Sequence, residues 1–205
     1  WLENDPSMYD LGNFVLEQAL WDSKSFLQQN PEFFINVNVS AKQLERPDFC
    51  RVVLELLDKT EFPVKHLCLE ITERCRSLPV SVINERMAVL RGYGIKFAMD
   101  DFGTGSSSSA MALEMLIDEI KIDMSFIRKI LVNKKNKAIV QSMVDFANAA
   151  NIKSCLEGVE NEALEDYLRT VGATWFQGYY YSKPVGEEQL KKLLLEEMYN
   201  KKDAS

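Results

Sequence analysis

Seven polar side chains carry the chemistry this sequence can do: Asn38, Glu70, Asp100, Asp101, Lys121, Glu157 and Gln177, each at or beside the C-terminal end of a short apolar run. Asp100 and Asp101 follow Ile95–Met99 and precede Phe102-Gly103-Thr104-Gly105. Two adjacent carboxylates ahead of a loop loosened by glycine suit a hard cation that takes oxygen ligands; a solvated turn or a helix N-cap is the plain alternative. A kinase-like Asp-Phe-Gly is a poor rival, because no glycine-rich loop, Val-Ala-Ile-Lys strand or His-Arg-Asp loop precedes it. Glu70 closes Leu67-Cys68-Leu69, where a carboxylate is costly unless it is paired, bound to metal or capping the next turn. Lys121, between Ile120 and Ile122, needs anionic company. Asp123 would supply it in a structural salt bridge; in a functional site the ammonium would lie near a phosphate oxygen or an attacking water. Glu157-Gly158-Val159-Glu160 repeats the terminal carboxylate with a glycine that permits close backbone approach, and Gln177-Gly178-Tyr179 does so with an amide. Asn38, between Val37 and Val39, is a neutral oxygen donor for a metal or for a hydrogen bond at the rim.

The composition narrows the setting. At 205 residues, 46% hydrophobic and 27% charged, the chain reads as one soluble domain over 1–205 with enough residues for a substantial core. A net charge of −7 argues against a DNA or RNA duplex held by bulk electrostatics, although metal ions would let it accept a phosphate-bearing ligand. His66 is the only histidine, which removes histidine-based metal sites and triads. Cys50, Cys68, Cys75 and Cys155 form no CxxC pair and read as reduced thiols. No apolar run approaches the roughly 18 residues of a membrane span, and 1–7 is no signal peptide; a cytoplasmic protein without membrane contact from this domain is expected.

The elements that must position the seven residues alternate along the chain. Periodicity predicts helices near 11–29, 48–58, 80–92, 107–116, 136–150, 161–171 and 187–200. Between them lie apolar strands at 33–39, 67–71, 95–99, 119–122, 152–156 and 174–176. Gly92, Gly94 and Gly172 fall where left-handed helix stops are expected. Strands alternating with helices make a parallel α/β sheet, either doubly wound and open or closed as a (β/α) barrel. A barrel gathers all its strand ends around one mouth, whereas an open sheet spreads them along an edge. Acids on several non-adjacent strands therefore favour the barrel. Such a barrel needs eight strands, and six are visible. The shortfall of about 40 residues, at about 20 per βα unit, is expected at the N-terminus, because the chain begins inside a helix.

Taken in order, Asn38-Val39-Ser40, Glu70-Ile71-Thr72-Glu73, Asp100-Asp101-Phe102-Gly103-Thr104-Gly105, Lys121-Ile122-Asp123, Glu157-Gly158-Val159-Glu160 and Gln177-Gly178-Tyr179 resemble the successive signatures of the EAL domain. The resemblance runs from the helix around Leu11–Gln18 to Tyr181-Ser182-Lys183-Pro184. That family comprises bacterial phosphodiesterases that linearise cyclic di-GMP on a (β/α)8 TIM-like barrel. The resemblance implies two Mg²⁺ or Mn²⁺ ions bridged by Asp100, one also held by Asn38 and Glu70, the other by Asp101 and Glu157. Lys121 would orient or help deprotonate the nucleophilic water, and Gln177 would contact that water or its shell. Glu73 resembles the residue that anchors the loop after Asp101, and Glu160 stands one shell further out.

Two departures qualify the resemblance. The Glu-Ala-Leu motif, whose Glu is a metal ligand in the family, is absent together with the first two strands, and no substrate-contacting Arg can be assigned. The loop after Gly105 reads Ser106–Ser109 where the family commonly has Tyr-Ser-Ser-Leu. The expectation is a cyclic di-GMP phosphodiesterase domain, N-terminally incomplete and weak or inactive at this length. A catalytically inactive cyclic di-GMP receptor or protein-interaction module is the alternative, and an unrelated metal-dependent barrel hydrolase a third reading. A homodimer and an attached sensory or GG-motif domain are compatible partners.

Overall fold

A computed structural model describes residues 7–72, 78–105 and 108–203. Helix α1 (Ser7–Gln29) leads into β1 (Ile35–Asn38). Then α2 (Ala41–Glu45) and α3 (Phe49–Thr60) cross to β2 (Leu67–Thr72), α4 (Val80–Gly92) to β3 (Lys96–Phe102), and α5 (Ser108–Glu114) to β4 (Glu119–Ile122). Next α6 (Met124–Ile127) and α7 (Lys134–Ala149) cross to β5 (Lys153–Glu157), α8 (Glu162–Arg169) to β6 (Trp175–Gln177), and α9 (Glu187–Asp203) follows. All neighbouring strands are parallel, and their spatial order is their chain order, β1 to β6. An order that never reverses has no topological switch point, which rules out the doubly wound sheet. The sheet is a half-barrel. Among the described residues β1 and β6 each pair with one strand only, and Phe34 and Trp175, at the N-terminal ends of these two edges, meet with ring centroids 5.6 Å apart.

Alternation along the strands decides which side chains meet. Val37, Leu69, Ile71, Phe97, Met99, Ile120, Ile122 and Leu156 lie on one face, buried in the core shared with the helices. Residues one step out of phase point the other way. That second face holds Asn36 and Asn38, Cys68 and Glu70, Asp100, Glu119 and Lys121, Cys155 and Glu157, and Trp175 and Gln177 by register. Strands of a fully covered parallel sheet usually read as unbroken apolar runs; here the polar half of the alternation is gathered on the inner face, toward one end.

Among the described residues two short α-helices, α2 and α6, were not expected from periodicity, and both carry side-chain caps. Ser40 and Gln43 form a reciprocal capping box at α2, and the buried Gln43 amide reaches Asn13 of α1 at 3.1 Å. Asp123 caps α6 by accepting from the Ser125 amide at 2.9 Å. Gly92 is the last residue of α4 rather than a left-handed stop; the positive φ falls on Gly94 at 103° and, after α8, on Gly172 at 86°.

Candidate active site

Lys121 Nζ is the centre of the inner face. It lies 2.9 Å from Glu70 Oε1, 2.9 Å from Glu157 Oε1 and 3.4 Å from Asp100 Oδ1. Four consecutive strands, β2 to β5, thus meet at one ammonium. Lys121 and Glu70 are only 5% and 4% exposed, so these charges have little water to screen them. Burial by itself would push the ammonium down; Glu70, then Glu157 and Asp100, overcome this and hold Lys121 above the ordinary lysine value. Burial pushes the Glu157 carboxyl up, against the pull of Lys121. Asp123 is committed to its helix cap, so the salt bridge expected as the plain reading of Lys121 is made instead by the strand-end acids.

Asp100 and Asp101 lie within β3, not beyond it, and there the strand breaks step. Met99 pairs with Ile120 and Phe102 with Ile122, so two residues oppose the single Lys121. Asp101 takes a left-handed φ of 56°. This is a bulge. Adjacent strand residues must otherwise point to opposite faces; the extra residue returns Phe102 to the buried core and frees the two carboxylates from that constraint.

Asn38 and Gln177 are exposed strand-end residues beside Glu70 and Glu157 in the register. Glu160 is exposed, 3.8 Å from Arg128 Nε. Glu73 lies outside the described residues. Sequence reading passed over Asn36, whose Nδ2 donates to Glu70 Oε1 at 2.8 Å. The signal was there: Asn36-Val37-Asn38 alternates, so Asn36 shares the inner face one step below Asn38. It also passed over Glu119, buried two residues below Lys121 on the same face. Burial first, then the charge of Glu70, pushes its carboxyl up to about 7. Beneath the cluster, burial raises the thiols of Cys68 and Cys155, the latter to about 12, which keeps both inert.

The donor set suits a hard divalent cation. Its charged donors are carboxylates, in excess over the single ammonium, and Asp100 Oδ1 is buried without a hydrogen-bond partner. Among the described residues no three acid, His or Cys side chains enclose a point by themselves; Lys121 takes the central place.

The raised Glu119 carboxyl gives a pH expectation. Its contribution is fully present below the unfolded value near 4.3 and lost as pH rises through about 7. Glu119→Gln is therefore expected to be more stable than the parent at pH 8, with the difference gone near pH 4. Chemical denaturation at the two pH values checks this, and equal differences at both would refute it.

Comparison with known proteins bears on the family and the fold. The EAL domain model matches residues 2–184. The cyclic di-GMP phosphodiesterase PdeA of Borreliella burgdorferi is 32% identical over 175 residues, covering 85% of this chain and 26% of that protein. The EAL enzyme Bd1971, in a form bound to cAMP and cyclic di-GMP, superposes with a TM-score of 0.90 at 32% identity over 94% of this chain and 54% of its own. The PaMucR phosphodiesterase in complex with c-di-GMP superposes at 0.82 with 30% identity, over 88% and 74%. The chain spans about a quarter of the length of the curated relatives it matches first. Among the described residues no helix is long and apolar enough to cross a membrane.

Proposed function

The chain belongs to the EAL domain family, and from that premise we propose that it is a metal-dependent phosphodiesterase domain that hydrolyses cyclic di-GMP to the linear dinucleotide. The observation that supports this most is the convergence of Glu70, Asp100 and Glu157 on Lys121 at the C-terminal strand ends, the face on which parallel barrels carry out chemistry.

In this reading Asn38, Glu70, Asp100, Asp101 and Glu157 would hold two Mg²⁺ or Mn²⁺ ions. When bound, the ions neutralise developing charge on the phosphodiester and lower the pKa of water. They also let a protein of net charge −7 accept a dianion. The remaining work falls to the chain itself. Asn36 fixes one Glu70 oxygen, so the carboxylate is oriented before substrate arrives. Lys121, held charged by its three acids, donates hydrogen bonds toward the attacking water or a phosphate oxygen. Gln177, at the rim beside Glu157, orients that water through its amide. The water oxygen bonds to phosphorus, the phosphorus–ribose oxygen bond breaks, and a proton goes to the departing ribose oxygen.

The test is incubation of the chain with cyclic di-GMP and Mg²⁺ or Mn²⁺, with products separated by chromatography. Slow, metal-dependent appearance of the linear dinucleotide, stopped by chelation, is expected. Tight binding of cyclic di-GMP without product would instead make the domain a receptor.

A further inference from the structure

Strand β6 is short and, among the described residues, paired on one side only, yet it ends in Gln177. Backbone pairing alone gives such an edge little rigidity. The Gln177 carbonyl accepts from the Val159 amide at 3.0 Å, and the Val159 carbonyl accepts from the Tyr180 amide at 3.0 Å. The two strand-end loops are therefore laced backbone to backbone. Gly178 makes this possible, since a Cβ there would sit 2.1 Å from the Val159 oxygen.

A side-chain latch on α8 closes over the same turn. Glu165 is 8% exposed. Its Oε1 accepts from Tyr181 Oη at 3.2 Å and from Arg169 Nε at 2.8 Å, with Arg169 Nη2 bonded to the same oxygen. The Arg169 guanidinium also lies over the ring of Phe176, 5.7 Å from its centroid, and Phe176 is the residue before Gln177. The latch thus holds β6 from both sides of Gln177, through Phe176 before it and Tyr181 after it. Arg169 keeps the Glu165 carboxyl below its ordinary value, and burial, then Glu165, raises the Tyr181 hydroxyl to about 12; both directions preserve a charged acceptor and a protonated donor.

We infer that Glu165 is a positioning residue which, through Tyr181 and Arg169, holds Gln177 in place beside Glu157. The inference rests on the reading of Gln177 as a residue of the reaction. Its test combines amide hydrogen exchange with turnover. Tyr181→Phe removes one hydroxyl and keeps the ring, so exchange at the laced amides of Val159 and Tyr180 should quicken roughly two- to tenfold, the equivalent of one hydrogen bond. Amides of β2 and β3 should stay unchanged. Glu165→Ala should exceed this effect, and Glu165→Gln, which still accepts from Tyr181, should recover most of it. With cyclic di-GMP and saturating Mn²⁺, kcat of Tyr181→Phe should fall roughly ten- to hundredfold at constant KM, the scale of a misplaced group. Unchanged exchange at Val159 and Tyr180 would overturn the latch. Faster exchange with unchanged kcat would overturn its role in positioning. A parent chain that makes no product would defeat the functional reading instead, and exchange alone would then decide the latch.

Discussion

Lys121→Met is expected to lose about 3–5 kcal/mol of stability at pH 7, the range found when one partner of a buried ion pair is removed. The methionine fills the space of the lysine stem, so packing is nearly kept; what changes is that Glu70, Asp100 and Glu157 face one another without the ammonium that separates them. Desolvation and the neighbouring acids, no longer opposed by Lys121, then push the Glu157 carboxyl further up in the fold. A carboxyl raised in the fold contributes stability below its unfolded value and loses it as pH rises through the folded value. The deficit of Lys121→Met should therefore shrink as pH falls from 7 toward 4, and Mn²⁺ should relieve it at pH 7 by replacing the lost positive charge. Urea denaturation at pH 7 and pH 4, with and without Mn²⁺, measures both effects. A variant as stable as the parent at pH 7 would mean that the three acids do not depend on Lys121.

The same residue shows what a sequence can and cannot disclose. The apolar runs around Val37, Leu69, Met99, Ile120 and Leu156 were sufficient to place six strands, because a parallel sheet needs an apolar face wherever helices cover it. The polar residues closing those runs were legible for the same reason, since an ion in an apolar strand needs an explanation. Which ion pairs with which was not legible. Asp123, two residues from Lys121, was the nearest candidate in sequence, but local capping of α6 claims it, and the partners arrive from three other strands. The bulge at Asp100 and Asp101 was also hidden: adjacency of two acids implies opposite faces in a regular strand, and only the register against β4 shows the extra residue. The latch on Gln177 was invisible because Glu165, Arg169 and Tyr181 look like ordinary surface residues of an amphipathic helix and a polar turn.

The largest effect is expected at Asp100, and it separates a metal site from a structural ion cluster. Asp100→Asn keeps the size of the side chain but removes its charge. If Asp100 serves only to neutralise Lys121, the variant should be less stable than the parent under all conditions. If it serves a cation, the metal-free protein should be no less stable, because Lys121 keeps Glu70 and Glu157 at 2.9 Å, and the buried Asp100 oxygen, which makes no hydrogen bond and only the longer 3.4 Å ion pair with Lys121, has lost its charge. The response to metal should then vanish. For the parent, Mn²⁺ at a hundredfold excess over its Kd adds about 2.7 kcal/mol, a shift of roughly 5–10 °C in Tm for a domain of this size; for Asp100→Asn no shift is expected. Turnover of cyclic di-GMP should fall by a factor of about 10²–10³ or more, the scale on which one electrostatic group at a reacting centre is felt. Thermal scans with and without Mn²⁺ read the first pair of quantities and product chromatography the last. A variant that keeps the Mn²⁺ shift would move the metal away from Asp100 and leave the cluster around Lys121 as a purely structural knot.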